Sequence, residues 1–257
     1  MIIGVGKAAK KSIHFCPFSR VDRNRAAENR NMGQHQRRHQ GFTLVELAIV
    51  LVIVALLTSG LLMGITAQRT SAENVDAQRQ LDNIREALLG YAMAKGRLPC
   101  PADPASNSGV EDRLDPTLQC NRVDIARNGI FGVIPWATLG LPETDPWGRR
   151  FTYYVNADFT KPITVAPSSF DLKTVGNADI KNTVTPPPAT ITIASNLPAV
   201  VVSHGSNGVG TSGDELENAN STLTFVSRTP GNDFDDLVTW IAPGILMAKM
   251  VAAGRLP

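Results

Sequence analysis

Histidine and cysteine are scarce in this chain of 257 residues, which has four of the first and three of the second. Three of the histidines, His14, His35 and His39, lie within residues 1–41, so that His204 alone remains beyond that segment. This distribution argues against a multi-histidine metal site in the rest of the chain. It also argues against a hydrolase that depends on histidine and has a second base in reserve.

Net charge is also small, because 25 Lys and Arg stand against 23 Asp and Glu. Residues 1–41 hold nine basic and two acidic side chains, a net of +7, whereas residues 42–257 hold 16 and 21, a net of −5. A nucleic-acid-binding domain would carry its positive charge on the folded part, so this distribution argues against one. The hydrophobic fraction of 43% argues against a disordered chain.

Charge is absent from the 21 residues 47–67, LAIVLVIVALLTSGLLMGITA. As a helix this run would be about 31 Å long, close to the thickness of bilayer hydrocarbon. Arg37 and Arg38 precede it, and the positive-inside rule then places the N-terminus in the cytoplasm. A cleaved secretory signal is the alternative, but its apolar core has about 7–15 residues. We therefore predict a transmembrane helix over 42–67 and an exported C-terminal part.

A carboxylate stands at the start of the apolar run, in the sequence GFTLVE at residues 41–46. Thr43 and Glu46 fit a helix capping box, which explains an acid at a helix start but not the glycine–aromatic junction before it. A carboxylate costs about 2.5–3.5 kcal/mol at the centre of a membrane span and less near its end. Such an acid remains costly until a partner brings a cation to it.

The sequence GFTLVE before an apolar helix resembles the signature of the type IV pilin and type II secretion pseudopilin superfamily. The resemblance implies that a membrane prepilin peptidase cleaves after Gly41 and methylates the new amino group of Phe42. In the family, the acid at the position of Glu46 pairs with that amine in a neighbouring subunit.

The same resemblance implies a structural, non-enzymatic subunit that assembles with other pilin or pseudopilin subunits on an inner-membrane platform. It implies one pass through the bacterial inner membrane, a cytoplasmic N-terminus and a periplasmic C-terminal domain, and then a filament in the envelope. The chain has no P-loop sequence, so the energy of assembly would come from other proteins.

Two features depart from the family pattern. The basic leader over 1–41 is long, and a start at Met32 would leave a leader of ten residues, so we expect 1–31 to be a start-site artefact. Many relatives have a proline within the span, where this chain has Met63 between Gly60 and Gly64. Such glycines soften a helix or allow close helix packing.

Apolar residues recur at helical spacing beyond the predicted span. The stripe consists of Ala77, Leu81, Ile84, Leu88 and Tyr91. Gly96 and Pro99 supply a helix stop. We predict that residues 68–96 are the amphipathic half of the same helix and that the stripe packs against the protein's own domain. A free coiled coil is the alternative.

Residues 97–257 contain short β-prone runs separated by turn residues. Strands are predicted at 151–155, 190–194, 199–203, 222–227 and 234–241, and a closing helix at 244–253. The fold class is therefore α+β, with a long N-terminal helix packed on a small, mostly antiparallel sheet as in pilins. The sequence DPWG at 145–148 is similar to a turn of the major pseudopilins that leads into an aromatic strand.

Two cysteines, Cys100 and Cys120, flank a loop rich in proline and aspartate. In an oxidising envelope this separation suits a disulfide, which contributes about 3 kcal/mol through loop closure. A metal site would need further ligands, and none lies nearby in the sequence. Cys16 belongs to the predicted leader.

The sequence SHGSNG at 203–208 resembles a loop of the major pseudopilins that holds calcium together with a downstream D-I-x-x-W, here DLVTW at 236–240. The ligands implied are Asn207, the carbonyl oxygen of His204, Asp233, Asp235 and Asp236. Asn207 stands where the family often has aspartate, which lowers the charge of the site. The alternative is a hairpin loop whose acids are solvated.

Two other motifs are interpreted without chemistry. The sequence GVGTSG at 208–213 matches G-x-G-x-x-G, but acidic residues rather than an apolar helix follow it, so we interpret it as a flexible loop. His204 lies beside Ser203 without a G-x-S-x-G elbow, which favours a loop histidine over a catalytic one.

Other functions remain open at this point. Within the superfamily the alternative is a minor or competence-type pilin. Outside it, the alternative is an anchored periplasmic enzyme or binding module, or a membrane-tethered adhesin. Glu46 separates a filament subunit from an anchored enzyme, because the enzyme has no use for a carboxylate at that place.

Overall fold

A computed structural model describes residues 41–115, 119–163, 168–186 and 188–256, without the side chains of 60–67. The predictions that concern the leader, the start at Met32, and Cys16 lie outside the described residues. So do those on the side chains near Met63. The chain divides after Ile53 into two compact units, which are described separately.

The first unit contains the beginning of helix α1 (Leu44–Lys95). Thr43 caps it, because its Oγ1 accepts the amide of Glu46 at 3.2 Å. Every large apolar side chain from 44 to 53 is exposed, from 48% for Val50 to 87% for Leu44. This part of α1 therefore buries no apolar stripe within the part of the unit that the structure describes.

Among the described residues, no helix combines the length and the apolarity needed to cross a bilayer. The predicted span over 42–67 includes residues 60–67, whose side chains fall outside the description. The span stays a prediction.

In the second unit, α1 carries the predicted stripe and buries it except at Tyr91, which is half-buried. Ala77, Leu81, Ile84 and Leu88 are at most 2% exposed, and Leu89 and Ala92 are buried with them. The helix ends at the predicted stop, where Gly96 has a φ of 70° and donates its amide to the carbonyl of Ala92. A left-handed glycine is a common helix terminator because it lacks a Cβ.

The rest of the second unit consists of short elements in two sheets. In chain order they are β1 (Val123–Asp124), β2 (Gly129–Val133), α2 (Trp136–Leu139), β3 (Thr152–Asn156), a 3₁₀ turn (Ala157–Thr160), β4 (Ala178–Lys181), β5 (Thr192–Leu197), β6 (Ala199–Ser203), α3 (Gly213–Ala219), β7 (Thr224–Val226), β8 (Leu237–Ile241) and α4 (Pro243–Ala252). The main sheet is antiparallel, in the order β1-β2-β3-β6-β8. The second sheet has the order β5-β4-β7, and β4 pairs with β7 in parallel.

The main sheet separates two hydrophobic clusters. Strand β6 is buried along its whole length, and its side chains alternate between the two sides. Val201 packs in the larger cluster with the stripe of α1, whereas Val200 and Val202 pack in the smaller one with Phe225 of the second sheet. Both faces of the main sheet are therefore covered.

The α+β class is confirmed, and the predicted strands at 151–155, 190–194, 199–203, 222–227 and 234–241 all contain or overlap strands. The prediction of one mostly antiparallel sheet is incomplete, because the second sheet contains the parallel β4–β7 pair. Strands β1, β2 and β4 were not predicted, and neither was helix α3.

A disulfide joins Cys100 and Cys120, as predicted. Beside it, the Glu111 carboxylate accepts hydrogen bonds from Arg97 Nη2 at 2.8 Å, Tyr91 Oη at 3.0 Å and the Cys100 amide at 3.1 Å. Burial opposes the charge of Glu111, but the hydrogen bond and charge of Arg97 outweigh it and hold the pKa of Glu111 below its usual range. Burial and the Glu111 charge raise the pKa of Tyr91 to about 12.

Candidate functional site

The predicted processing site lies just before α1. Gly41, Phe42 and Thr43 are exposed and not helical, and the Phe42 side chain is 80% exposed. Glu46 lies exposed in the first turn of α1. A protease could therefore reach the bond between Gly41 and Phe42 without unfolding a helix. Glu46, the single acidic residue among 41–53, follows within one helical turn.

A second candidate site lies at one end of the main sheet. Strand β6 ends at Ser203, which pairs with Leu237, the first residue of the antiparallel strand β8. The loop 204–208 that leaves β6 and the two aspartates that precede β8 therefore meet at the same place. Helix α3 begins shortly after the loop and brings Glu215 to it.

Three carboxylates converge there. Glu215, Asp235 and Asp236 each offer an oxygen, and these oxygens all lie within 4.8 Å of one another. The Oδ2 of Asp235 accepts the amides of Ser206 at 2.7 Å and Asn207 at 3.0 Å. Within the described part of the chain, the Oδ1 of Asp235 and the Oδ1 of Asp236 are buried without a hydrogen-bond donor.

Asp236 is the most enclosed member of this carboxylate cluster. Its side chain is 0% exposed, and its Oδ2 accepts the side-chain amide of Asn218 at 2.8 Å. Burial raises the pKa of Asp236, against the nearby His204 ring and the hydrogen bond from Asn218, and the charge of Glu215 raises it further. A buried carboxylate oxygen without a donor is costly, so the cluster is short of positive charge.

Glu215 is 2% exposed and belongs to the same network. Its Oε1 accepts the side-chain amide of Asn207 at 3.0 Å and the backbone amide of Asp235 at 3.1 Å. Burial opposes the charge of Glu215, but these hydrogen bonds, with those of the backbone at Ser212 and Thr211, hold its pKa below the usual range. Glu215 therefore remains an ionised carboxylate.

Glycine is required at two positions that surround the acids. Gly205 has a φ of 57°, and a Cβ there would lie 2.4 Å from the Asp235 Cγ. Gly210 has a φ of 62°, and a Cβ there would lie 1.7 Å from the Glu215 Oε2. The chain therefore folds closely around both carboxylates, at a backbone conformation that disfavours other residues.

Some of the predicted ligands lie in the carboxylate cluster, and others lie beside it or outside it. Asp235 and Asp236 are in the cluster, and Asn207 borders it through its side-chain amide. The carbonyl oxygen of His204 accepts the Gly208 amide at 3.0 Å and closes a turn, while its ring Nδ1 lies 3.6 Å from the Asp236 Oδ1.

Asp233 lies outside the cluster. Its carboxylate is exposed and pairs with the Arg228 guanidinium at 2.8 Å. The third carboxylate of the cluster is that of Glu215, which was not among the residues predicted from the sequence. A capping pattern could have found Glu215, because Ser212-x-x-Glu215 marks a helix start, and Ser212 Oγ does accept the Glu215 amide.

Comparison with known proteins connects the N-terminal geometry to a family. The family described as prokaryotic N-terminal methylation motif matches residues 36–62. The chain is 25% identical over 128 residues to the type II secretion system core protein G of Pectobacterium carotovorum subsp. carotovorum. The aligned segment covers 49% of this chain and 74% of that protein. At its N-terminus and over about half of its length, the chain is therefore similar to proteins of the type IV pilin and pseudopilin superfamily. No solved structure gives a significant match to this pilin-like chain.

The DPWG turn of this pilin-like chain supports the end of the sheet where the carboxylates lie. Asp145 accepts the amides of Trp147 and Arg149 with Oδ1, and the hydroxyl of Ser203 with Oδ2 at 2.7 Å. Arg149 then donates to the carbonyl of Gly205 at 2.5 Å. The turn thus holds both the last residue of β6 and the loop that follows it.

Proposed function

We propose that this chain is a structural subunit of a type II secretion pseudopilus or a type IV pilus-like filament. The observation that carries the proposal is the methylation motif at residues 36–62, which ends in a helix whose apolar side chains are exposed. Exposed apolar patches of this size mark surfaces that bind other proteins or lipid. The bilayer would cover this helix before assembly, and the helices of neighbouring subunits would cover it afterwards.

Processing would prepare the chain for that role. A prepilin peptidase would cleave after Gly41 and methylate the amine of Phe42, which stands exposed at the start of α1. Glu46 would then pair with the Phe42 amine of a neighbouring subunit, so that an acid which is costly in lipid favours assembly in one register. The inner membrane, an assembly platform and other pilin-like subunits are the partners of this proposal.

Substitution of Glu46 tests the proposal. Filaments sheared from cells should be absent for Glu46→Gln, whereas the precursor should still be inserted and cleaved. Glu86→Gln is the matched control on the same helix, because Glu86 is exposed and pairs with Lys249 of the same chain. Mass spectrometry of the mature chain should show methylated Phe42 in all three proteins. Filaments of Glu46→Gln at the wild-type level, or a mature chain that keeps residues before Phe42, would refute the filament role.

We further propose that the carboxylate cluster binds calcium. Two buried oxygens, on Asp235 and Asp236, have no hydrogen-bond donor among the described residues, and they support the proposal because one cation could satisfy both. Calcium prefers six to eight oxygen ligands, with carboxylates prominent among them, and three carboxylates converge at this site. Thermal unfolding of the mature chain should shift upward with Ca²⁺ and return with EDTA. An unchanged melting temperature would contradict the calcium site.

A further inference from the structure

One carboxylate of the cluster comes from neither of the segments that resemble the pseudopilin site. Asp235 and Asp236 precede β8, and Asn207 lies in the loop after β6, but Glu215 lies on helix α3. We propose that Glu215 is the ligand that completes the cation site in this chain, and that a bound cation fixes α3 between the two sheets. This inference rests on the proposed calcium site.

Glu215 changes the charge of the cluster. The loop supplies a neutral amide at Asn207, so that without Glu215 the cluster would hold two carboxylates. Glu215 bonds to that amide at 3.0 Å and adds a third carboxylate at the same place. The affinity of calcium sites depends on the number of charged ligands, so Glu215 supplies the negative charge that Asn207 does not.

The Glu215 carboxylate faces the other two acids. The buried Oδ1 of Asp236 has no donor among the described residues, and Asp236 offers a carboxylate oxygen within 4.8 Å of one from Glu215. The backbone at Gly210 leaves no room for a Cβ beside Glu215 Oε2, so the carboxylate is enclosed from the loop side. Glu215 is therefore held facing Asp235 and Asp236 before any cation binds.

Helix α3 also contacts the second sheet. Asp214 accepts the hydroxyl of Thr183 and the amide of Val184, both just beyond β4 of the second sheet. Asn218 bonds to both backbone groups of Val226 on β7, and also donates to Asp236 beside the main sheet. Successive buried polar side chains of α3 therefore reach the second sheet and the cation cluster.

These contacts give the cation a mechanical role. Helix α3 has seven residues, and a helix this short depends on tertiary contacts rather than on its own propensity. Without a cation, three carboxylates repel one another across the junction of α3 and the main sheet. A cation would remove that repulsion and so stabilise α3 where Asn218 already joins it to Asp236 and to β7.

Two glutamates of α3 provide a matched test. Glu215→Gln removes the carboxylate from the cluster, whereas Glu217→Gln removes one that accepts hydrogen bonds from Asn220 and Thr222 near the end of the helix. Calcium binding to the full mature chain in detergent is measured by calorimetry, with Mg²⁺ as the comparison ion. Calcium-dependent protection of amides in 213–219 and 224–226 is measured by hydrogen exchange.

We expect Glu217→Gln to match the wild type in both measurements. Glu215→Gln should bind calcium at least about tenfold more weakly and lose the calcium-dependent protection of α3 and β7. Glu215→Asp keeps the charge on a shorter side chain and should fall between them, which separates loss of the ligand from a failure to fold.

The outcomes distinguish the two proposals. Wild-type affinity in Glu215→Gln would overturn the role of Glu215 while leaving the calcium site in place. Calcium binding that leaves exchange in 213–219 and 224–226 unchanged in the wild type would overturn the clamp on α3. No calcium binding by the wild type would overturn the calcium site itself.

Discussion

Helix α1 has apolar side chains at both ends, but they are buried at one end and exposed at the other. Between residues 77 and 92 the apolar stripe is covered by the domain, whereas between 44 and 53 every large apolar side chain is exposed by 48% or more. Charged residues line the outer face of the packed end, and the exposed end has Glu46 as its single charge. An apolar helix surface thus does not by itself define a core, because the described residues cover it at one end and leave it exposed at the other.

Truncation of one leucine at each end should break the comparison most clearly. Leu88→Ala removes a side chain that is 0% exposed, and we expect it to lower the free energy of unfolding by about 2–5 kcal/mol. Leu51→Ala, at 61% exposure, should change it by less than about 0.5 kcal/mol. Urea unfolding of the mature chain in detergent, followed by circular dichroism, measures both. Equal losses would mean that the exposed end is packed after all.

Removal of the disulfide should sharpen the account of the packed end. Cys100 lies in the larger cluster with Leu88, and the bond to Cys120 closes a loop with a sequence separation of 20. The double variant Cys100→Ala/Cys120→Ala should therefore lose about 3 kcal/mol, chiefly because its unfolded chain is less restricted. The wild type, reduced and alkylated, should unfold at the same urea concentration. A loss below about 1 kcal/mol would show that the other contacts of the loop suffice.

The smallest effect is expected at Glu111, which ties the packed end to the loop through Tyr91 and Arg97. Glu111→Gln should lower the free energy of unfolding by about 1–3 kcal/mol at neutral pH. The folded pKa of Glu111 is depressed, so its stabilisation is present above the unfolded value of about 4.3 and is lost as the pH falls through the folded value.

The pH dependence makes that experiment specific. The difference between the wild type and Glu111→Gln should shrink as the pH falls below about 4.3 in urea unfolding curves. Glu143→Gln is the control, because Glu143 also pairs with an arginine, Arg150, but is 45% exposed and should change stability by less than about 1 kcal/mol. A difference that stays constant into acid would contradict the assigned pKa shift.

The stripe of α1 was predictable because burial imposes its period directly on the sequence. Ala77, Leu81, Ile84 and Leu88 recur at the helical spacing and are all buried. Strand β2 was hidden because it contains two glycines, one of which, Gly132, has the Ala102 carbonyl 2.6 Å from the place of a Cβ. Close packing of backbones required a residue with weak strand preference.

The candidate cation site was only half visible for a different reason. Asp235 and Asp236 belong to a recognisable pattern, but Glu215 lies on a helix that buries Asp214, Glu215 and Asn218 rather than apolar side chains. A hydrophobic period cannot reveal a helix that is held by polar contacts. The partners of those side chains, such as Thr183 and Val226, are distant in the sequence, so their meeting depends on the tertiary fold.

Strand β6 has a consequence for how the domain comes apart. Its valines pack in both hydrophobic clusters, one on each side of the main sheet. Exposure of one cluster to water would therefore remove packing that holds β6 in place and would destabilise the other cluster. Neither sheet can therefore melt while the other stays intact, and the domain should lose its structure in a single cooperative event.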